Sequence, residues 1–457
     1  MQNPLLAISP LAGRYQQKLT DLETYLSEFG LIKMRLFVEI KWLIYICNKL
    51  KLTGSRPLKP GEVEKLMQIH AYFDVKEAEQ VKEIEKTTNH DVKAIEYYLK
   101  NKLTELELTE LTEFVHFGCT SEDINNLSYG LITKKTLENQ LVPQIENLLA
   151  NLENLGQSTK TTSMMGRTHG QPASPTTMGK EMINFAARIK RKLLQLKELK
   201  IEGKFNGATG NFNAHQVTYG NIDWIKESQN FIEELGLKPN LFTTQIEPHD
   251  SFVELFANLR HLNYIGLDFA TDMWSYISLN YFKQITVAGE IGSSTMPHKV
   301  NPIDFENGEG NLEIANGLFE VLERRLAQSR LQRDLSDSTI QRNIGSALGY
   351  TFLGLSSILK GLSKVQINEE QINKDLDDNW AIVGEGIQSV LRREGVDSPY
   401  EKLKELTRGK KVDEKSLEKF IDKLEINDNV KMELKEIKPK NYSGLAEQLV
   451  ELYFKQN

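Results

Sequence analysis

The sequence has few of the features that mark secreted, membrane-spanning or disulfide-stabilised proteins. It contains only two cysteines, Cys47 and Cys119, which form no CxxC pair and cannot build a disulfide framework. No run of about 18 apolar residues is present, so no membrane span is expected. The stretch MQNPLLAISPLAGRY lacks a positively charged region ahead of an apolar run, so we expect no secretory signal. These absences predict a protein of the reducing cytoplasm.

Common cofactor and metal motifs are also missing. The sequence has no GxxxxGK[ST] phosphate loop and no HExxH. His215, His249 and His261 do not have the spacing of metal ligands. We therefore predict no cofactor and no metal, although an oxygen-ligated Mg²⁺ stays open at this point. A net charge of −7 argues against general nucleic-acid binding, and any anionic ligand would need locally gathered cations.

The chain is long enough for several domains, and its patterns are helical. It has 457 residues, more than one compact core usually holds. Residues 1–110 have helical segments and polar loops, residues 111–363 hold the longest helical runs, and residues 364–457 are rich in lysine and glutamate. We predict an all-α protein with three helical domains at these boundaries.

Four long stretches have the apolar spacing of helices. They cover residues 124–155, 250–282, about 305–331 and about 338–362. Pro143 falls inside the first stretch and should kink it. The segment LNYIGLDFATDMWSYISL is apolar on more than one face, which is typical of a helix that is buried all round. We expect a central bundle of long helices that also packs against other copies of the chain.

Polar segments near the ends of these runs are candidates for chemistry. KTTNHDVKA and FGCTSEDINNL are typical of helix N-termini, with Thr88 or Asn89 capping one helix and Ser121 the other. QRDLSDSTIQRN, taken alone, indicates a capped helix with surface arginines. A helix N-terminus can also bind a carboxylate or a phosphate, so a functional interpretation stays open for each segment. The Gly- and Asn-rich stretch 203–215 predicts a small hairpin or a tight loop.

Two further segments favour function over structure. MGRTHGQPASP places His169 between glycine and proline in a predicted loop, where a core histidine is unexpected. Histidine is also the side chain best suited to proton transfer near neutral pH. AGEIGSSTMPHKVNP, residues 288–302, joins two long helical runs. Its composition could mean a flexible linker. However, a linker needs neither its apolar and proline residues nor Lys299 and Asn301, whereas a loop with glycine hinges can close over an anion.

These segments together resemble the fumarase/aspartase superfamily. GSSTMPHKVNP resembles the signature loop of that superfamily, whose members eliminate fumarate from a substituted succinate. SPLAGRY, TTNHDVKA, RTHGQPASPTTMGKE, TTQIEPHD and RDLSDS follow in family order, so the resemblance covers nearly the whole chain. TTNHDVKA and RDLSDS resemble the purine branch. This resemblance implies a homotetramer whose active sites each draw on three subunits. It also implies the conversion of adenylosuccinate to AMP and of the related succinyl-carboxamide ribotide (SAICAR) to AICAR, each with release of fumarate.

The resemblance also implies roles for individual residues. His169 would be the general acid and Ser293, in the signature loop, the general base. Glu306 would orient the site. The succinyl end would be held by Thr120, Ser121, Gln245, Lys299 and Asn301. The nucleotide would be bound by Arg14, Tyr15, Asn89, His90, Asp91, Arg333, Ser338 and Arg342.

The implied reaction explains why such residues are needed. A proton leaves the carbon next to a carboxylate, and the C–N bond to the purine amine then breaks. The transition state is more anionic than the substrate, so fixed cations and donors accelerate the reaction. The leaving nitrogen needs a proton, which a histidine can supply. A serine hydroxyl can act as base only if Lys299 and backbone amides stabilise its alkoxide.

Two alternatives stay open on the sequence alone. The chain could release fumarate from argininosuccinate, aspartate or malate, although small substrates would not need the nucleotide-end segments. It could also be a non-catalytic oligomer, although such a protein would have no reason to keep His169, Ser293 and Lys299 together.

Overall fold

Helices make up most of the computed structural model, which describes residues 4–285, 296, 299–407 and 412–456, with only the backbone of 405–407. The first helices are α1 (Thr20–Leu26), α2 (Glu28–Tyr45), α3 (Pro60–Ala71), α4 (Val75–Thr88), α5 (Asp91–Glu105), α6 (Ser121–Thr136) and α7 (Val142–Ser158). The middle of the chain forms α8 (Met178–Glu198), α9 (Asn213–Thr218), α10 (Trp224–Glu234), α11 (Asp250–Ser278) and α12 (Ile303–Leu326). The last helices are α13 (Ser336–Gln341), α14 (Ile344–Leu362), α15 (Glu369–Asp377), α16 (Gly384–Arg393), α17 (Pro399–Thr407), α18 (Glu414–Asp422), α19 (Asp428–Lys435) and α20 (Ala446–Lys455). The predicted all-α class is confirmed.

Short irregular helices and strands complete the described chain. The 3₁₀ turns are Pro4–Leu6, Gln16–Lys18, Thr109–Phe114 and Trp380–Val383, and the π turns are Ile46–Leu50 and Leu137–Leu141. The strands are β1 (Ser163–Thr168), β2 (Gln171–Thr177), β3 (Glu202–Gly203), β4 (Lys238–Pro239), β5 (Phe282–Gln284) and β6 (Val365–Ile367). They pair as β1 with β2 and β5 with β6, both antiparallel, and β3 with β4, parallel.

The chain divides into two compact units. The first comprises residues 1–144, 192–264 and 310–354, and the second comprises residues 145–191, 265–309 and 355–457. Each of α7, α8, α11, α12 and α14 begins in one unit and ends in the other. The division into three domains at 1–110, 111–363 and 364–457 stays a prediction.

Each unit has its own apolar core. In the first unit, side chains of α2, α3, α4 and α5 pack together, among them Leu36, Ile40, Leu66 and Leu99. In the second unit, the C-terminal helices bury Ile387, Leu391, Leu417 and Ile421 around Met165 of β1. Burial of apolar side chains of this size typically contributes about 1.5–3 kcal/mol each. Within the described ranges, no helix combines the length and apolar character that crossing a membrane requires.

The long helical stretches match the predicted runs, with instructive breaks. The π turn Leu137–Leu141 separates α6 from α7, and Pro143 is the second residue of α7. Proline has no N–H to donate to the preceding turn, so the helix re-registers just before it. The predicted run 250–282 forms α11, which ends at Ser278. The run from about 338 is divided between α13 and α14, with the break at residues 342–343.

The Gly- and Asn-rich stretch is a tight loop up to residue 212, the hairpin alternative is wrong, and Asn213–His215 already belong to α9. Gly203 ends β3, which pairs with β4 rather than with its own continuation. Gly207 and Gly210 have φ of +83° and +79°, a conformation that favours glycine. A Cβ on Gly210 would lie 2.4 Å from the Thr243 carbonyl oxygen. The loop therefore packs directly on the chain segment that follows β4.

Candidate active site

Thr120 and Ser121 lie half-buried at the N-terminus of α6. The cap is Thr120, one residue before the predicted Ser121, because Thr120 has extended backbone and its N–H donates to Asp123 Oδ2 at 2.8 Å. Asp123 satisfies this amide as in a capping box. The two hydroxyl groups thus stand beside the positive end of the helix dipole, where a carboxylate is favoured.

Arg333 links this helix end to Gln245. Its Nη2 donates to Glu122 Oε1 at 2.9 Å and its Nη1 to Gln245 Oε1 at 3.2 Å. Burial raises the pKa of the Glu122 carboxyl, and the nearby Arg333 opposes that rise. Gln245 Nε2 in turn donates to the Ala208 carbonyl at 3.1 Å. The predicted residues Gln245 and Arg333 are therefore in direct contact, next to the N-terminus of α6.

His90, Asn89 and Asp91 form the junction of α4 and α5. Asn89 ends α4 with φ of +50°, and His90 caps α5 because its Nδ1 accepts from the Lys93 N–H at 3.1 Å. The cap predicted at Thr88 or Asn89 is therefore wrong by one or two residues. An imidazole that accepts at Nδ1 carries its proton at Nε2 when neutral. His90 Nε2 is thus a donor on a half-exposed side chain, as an anion site requires.

Asp91 forms ion pairs with two arginines. Its Oδ2 lies 2.9 Å from Arg35 Nη2 and 3.2 Å from Arg342 Nη2. Burial alone would raise the pKa of the Asp91 carboxyl, but Arg35, the Val92 N–H and Arg342 together outweigh burial and lower that pKa. Arg342 also lies 3.4 Å from Glu28 and is partly exposed. A phosphate here would meet Arg342 held in place from one side by the half-buried Asp91 carboxylate.

The remaining predicted residues of the first unit lie on short segments. Arg14 is exposed and Tyr15 half-buried just before the 3₁₀ turn Gln16–Lys18. Tyr15 packs against the cluster of Leu19, Leu22 and Leu353. Ser338 lies half-buried in α13, five residues after Arg333.

His169 occupies the turn of the β1–β2 hairpin, at a position where a loop was predicted. Thr168 pairs with Gln171, so His169 and Gly170 are the two turn residues, with φ of +53° and +73°. Two consecutive positive φ angles define the turn type that joins tightly twisted strands. The His-Gly pair between two short runs, which form β1 and β2, was the only sequence signal that could have indicated this hairpin. The His169 side chain is exposed at this tip.

The hairpin is fastened to the C-terminal helices. Arg167 Nη2 donates to Asp375 Oδ2 at 2.8 Å, and the Tyr281 hydroxyl donates to the same oxygen. Ser163 donates to the Lys440 carbonyl at 2.7 Å. Two cations of the polar segments are already paired, Arg167 with Asp375 and Lys93 with Glu96, each at 2.8 Å.

The predicted residues from the end of the signature loop onward lie just before α12 or in its first turn, in the second unit. Lys299 is exposed, and Asn301 is half-buried two residues before α12 begins. Glu306, in the first turn, accepts from the Trp274 indole at 3.1 Å. Ser293 lies outside the described residues. Of the described residues, no group of three or more His, Cys, Asp or Glu side chains has the arrangement of a metal site.

Two ionic pairs close to the N-terminus of α6 were not predicted from the sequence. His116 Nδ1 lies 2.6 Å from Glu39 Oε1, and Lys204 Nζ lies 3.1 Å from Asp123 Oδ1. Burial alone would lower the pKa of His116, but the Glu39 carboxylate reverses the effect and raises it. His116 stands four residues before Thr120 in the chain, which was the only available signal. No sequence signal indicated a role for Lys204, because its neighbours have the composition of a loop.

The two units therefore carry different chemistry. The first unit gathers hydroxyl groups, an amide and arginines, which suit carboxylates and phosphate. The second unit carries an exposed histidine and an exposed lysine, which suit proton transfer and charge stabilisation.

Two protein-family models match the chain. The model described as Lyase matches residues 13–316, and the model described as Adenylosuccinate lyase C-terminal matches residues 329–443. Together they account for most of the sequence.

Curated relatives match over nearly their whole length. The chain is 50% identical to "Adenylosuccinate lyase" of Haemophilus influenzae over 448 residues, which is 98% of each protein. It is 50% identical to the protein of that name from Legionella pneumophila strain Corby over 454 residues, 98% of this chain and 99% of the relative. For the Escherichia coli K12 protein of that name the identity is 47% over 448 residues, 98% of each.

Solved structures show the same fold at low identity. A fumarate lyase from Mesorhizobium superposes with a TM-score of 0.78 at 17% identity, covering 96% of this chain and 98% of that one. A β-carboxy-cis,cis-muconate cycloisomerase from Acinetobacter calcoaceticus superposes with a TM-score of 0.75 at 15% identity, with the same coverage. These likenesses concern the fold alone.

Proposed function

Because the chain belongs to the adenylosuccinate lyase family of the fumarase/aspartase superfamily, we propose that it eliminates fumarate from adenylosuccinate and from SAICAR. The products are AMP and AICAR, so the enzyme is a C–N lyase of purine nucleotide biosynthesis. The observation that carries the proposal is the 50% identity over 98% of the chain to a curated relative of that name. The arginine-rich nucleotide-end contacts support the same substrate class.

The reaction is a β-elimination that this donor set suits. A base removes the proton next to a carboxylate, the electron pair forms the new C=C bond, and the C–N bond breaks toward the purine amine. The extra negative charge develops on the succinyl fragment. Thr120, Ser121, Gln245, Lys299 and Asn301 are the residues that we propose bind that fragment.

His169 is the proposed general acid. Its exposed position at a hairpin tip leaves the ring free to meet a leaving nitrogen, while the Arg167 anchor to Asp375 limits the hairpin's movement. Protonation of the leaving nitrogen avoids an unstable anion, and such general acid catalysis is typically worth roughly 10²–10⁴ in rate.

Ser293 is the proposed general base, with Lys299 as the cation that stabilises its alkoxide. A neutral serine hydroxyl is a poor base at pH 7, so a nearby ammonium and backbone amides are required. The exposed ammonium of Lys299 supports this pairing, six residues beyond Ser293 in the chain. Glu306 is the proposed orienting residue.

The nucleotide is the proposed ligand of Arg14, Tyr15, Asn89, His90, Asp91, Arg333, Ser338 and Arg342. Support comes from the Asp91 carboxylate, which lies 3.2 Å from Arg342, and from the exposed side chain of His90, whose Nδ1 is occupied by the Lys93 N–H. Arg342 and His90 would bind the phosphate. On this proposal His90 is a phosphate ligand rather than a second acid.

A cytoplasmic homotetramer with active sites shared between subunits is the proposed working form. The long helices α11 and α12 support it, since both keep large apolar side chains exposed, such as Tyr264 and Ile314. Such faces are typical of an oligomer interface. Light scattering of the purified protein tests the assembly, with a monomer as the contradicting result.

Fumarate release tests the proposed function. Purified protein is offered adenylosuccinate, SAICAR, argininosuccinate, aspartate and malate separately. We expect fumarate from the first two alone. Release from argininosuccinate, aspartate or malate alone would favour a different lyase that shares the fold. No release from any substrate would favour a non-catalytic oligomer.

A further inference from the structure

Lys204 is a fully buried lysine whose ammonium group has three fixed partners. The side chains of Lys204 and Asp123 are 0% and 1% exposed, and Lys204 Nζ lies 3.1 Å from Asp123 Oδ1. Lys204 Nζ also donates to the Gly207 carbonyl at 2.9 Å and to the Gln245 carbonyl at 2.8 Å. A lysine ammonium has three N–H donors, so all of them are used and the group has one orientation.

Asp123 completes the network from the other side. Its carboxylate accepts from the Thr120 N–H at 2.8 Å, the Asn206 N–H at 3.0 Å and the Gly207 N–H at 3.2 Å. The ion pair therefore joins the start of α6, the loop after β3 and the segment that carries Gln245. The pair's hydrogen bonds to these three segments are all made to main-chain atoms, so rotation of other side chains cannot change them.

The backbone of Lys204 is held as tightly as its side chain. Asn126, one turn further along α6, accepts from the Lys204 N–H at 2.8 Å and donates to the Lys204 carbonyl at 3.0 Å. Asn206 donates to Thr243 Oγ1 at 2.7 Å, two residues before Gln245. The loop is thus clamped between α6 and the Gln245 segment.

Stability alone is a weak reason for such a pair. Removing two charges from water costs several kcal/mol per ion, and apolar replacements of buried pairs are often neutral or stabilising. What an ion pair with saturated hydrogen bonds supplies is a fixed geometry. Here the fixed segments are those of Thr120 and Gln245, both proposed to hold the succinyl end.

We propose that Lys204, through Asp123, is a positioning residue that sets the spacing between Thr120 and Gln245 for the succinyl group. The inference rests on the proposed function and goes beyond it, since Lys204 is buried and does not itself touch substrate. The pair makes no contact with Asp91 or Arg342, and Arg333 is held by Glu122 as well as by Gln245, so the nucleotide end should depend on the pair much less than the succinyl end does. Misplacement of a binding group by about 1 Å can cost about 100-fold in rate.

Product inhibition by the two halves of the substrate tests the proposal. Lys204→Met keeps most of the side-chain volume but removes the charge and the donors. The matched control is Lys238→Met, which removes a surface lysine that bonds to Glu202 at 2.8 Å in the same unit. The inhibition constants of fumarate and of AMP are measured for each variant, together with circular dichroism and the melting temperature.

We expect Lys204→Met to raise the fumarate inhibition constant about tenfold or more while that of AMP changes little. The control should change neither. An equal rise in the inhibition constants of both products, or an unchanged inhibition constant of fumarate, overturns the proposal even if the enzyme is active. If Lys204→Met does not fold, Asp123→Asn is measured in its place with the same expectation, and failure of both variants to fold also overturns it. Lack of fumarate release by the unaltered protein would instead reject the proposed function.

Discussion

Arg333 and Glu122 form a buried ion pair, with Arg333 Nη2 2.9 Å from Glu122 Oε1 and the two side chains 15% and 2% exposed. Glu122 follows Ser121 directly at the start of α6. The pair therefore fixes Arg333 relative to Thr120 and Ser121, and the second contact of Arg333 fixes it relative to Gln245. One guanidinium thus connects the proposed succinyl contacts with the proposed nucleotide contacts.

Arg333→Lys should impair substrate binding although it keeps the charge. A lysine cannot reach Glu122 and Gln245 at once with the planar fork of a guanidinium. Loss of a charge-assisted hydrogen bond of about 1.5–3 kcal/mol predicts a KM for adenylosuccinate raised roughly tenfold or more. Arg330→Lys, at an exposed position three residues earlier, is the control and should behave as the unaltered enzyme. An unchanged KM for Arg333→Lys would show that the two contacts do not matter for binding.

His169→Asn should abolish most of the turnover without unfolding the protein. Asparagine tolerates the positive φ of the hairpin turn, and so the backbone is kept, but it cannot transfer a proton. We expect kcat to fall by roughly 10²–10⁴, with the melting temperature unchanged because the side chain is exposed. The control His261→Gln alters another exposed histidine and should keep full activity. A His169→Asn variant with near-normal kcat would remove His169 from the mechanism.

Glu247→Gln should change how stability depends on pH. Burial raises the pKa of the Glu247 carboxyl to about 7, well above its ordinary value of 4.5. A raised folded-state pKa gives stability that is present below the unfolded pKa and lost as pH rises through 7. Glutamine has no such titration, so between pH 5 and 8 the variant should gain roughly 2–3 kcal/mol relative to the unaltered protein. Thermal melts at both pH values measure the gain, and a difference between the two proteins that does not vary with pH would contradict it.

The helical architecture could be predicted because apolar spacing is a strong and local signal. The run from 250 and the break at Pro143 depend on residues close together in sequence. The β1–β2 hairpin could not be predicted as readily, since its strands lack alternation and its turn uses His169 where glycine or asparagine is usual. The cap shifted from Ser121 to Thr120 because Asp123 fits Thr120 better, a difference of one residue that pattern alone rarely resolves.

The candidate site was predictable only where function leaves a motif. The contacts of Gln245 with Arg333 and of Asp91 with Arg342 join residues that were named from separate segments of the sequence. The supporting pairs Lys204–Asp123 and Glu39–His116 were missed because they bring together residues far apart in the chain. A buried lysine has no sequence signature, since its charge looks like that of any surface lysine.

The proposed base is tested most directly by single-turnover kinetics of two neighbouring serines. Ser293→Ala and Ser294→Ala are each mixed in excess with adenylosuccinate, and the appearance of fumarate is followed by stopped flow. The account predicts that the Ser293 variant loses at least about 100-fold in rate, as expected for loss of a general base, and that the Ser294 variant keeps most of its rate. A Ser293→Ala enzyme that retains most of its single-turnover rate would contradict the mechanism.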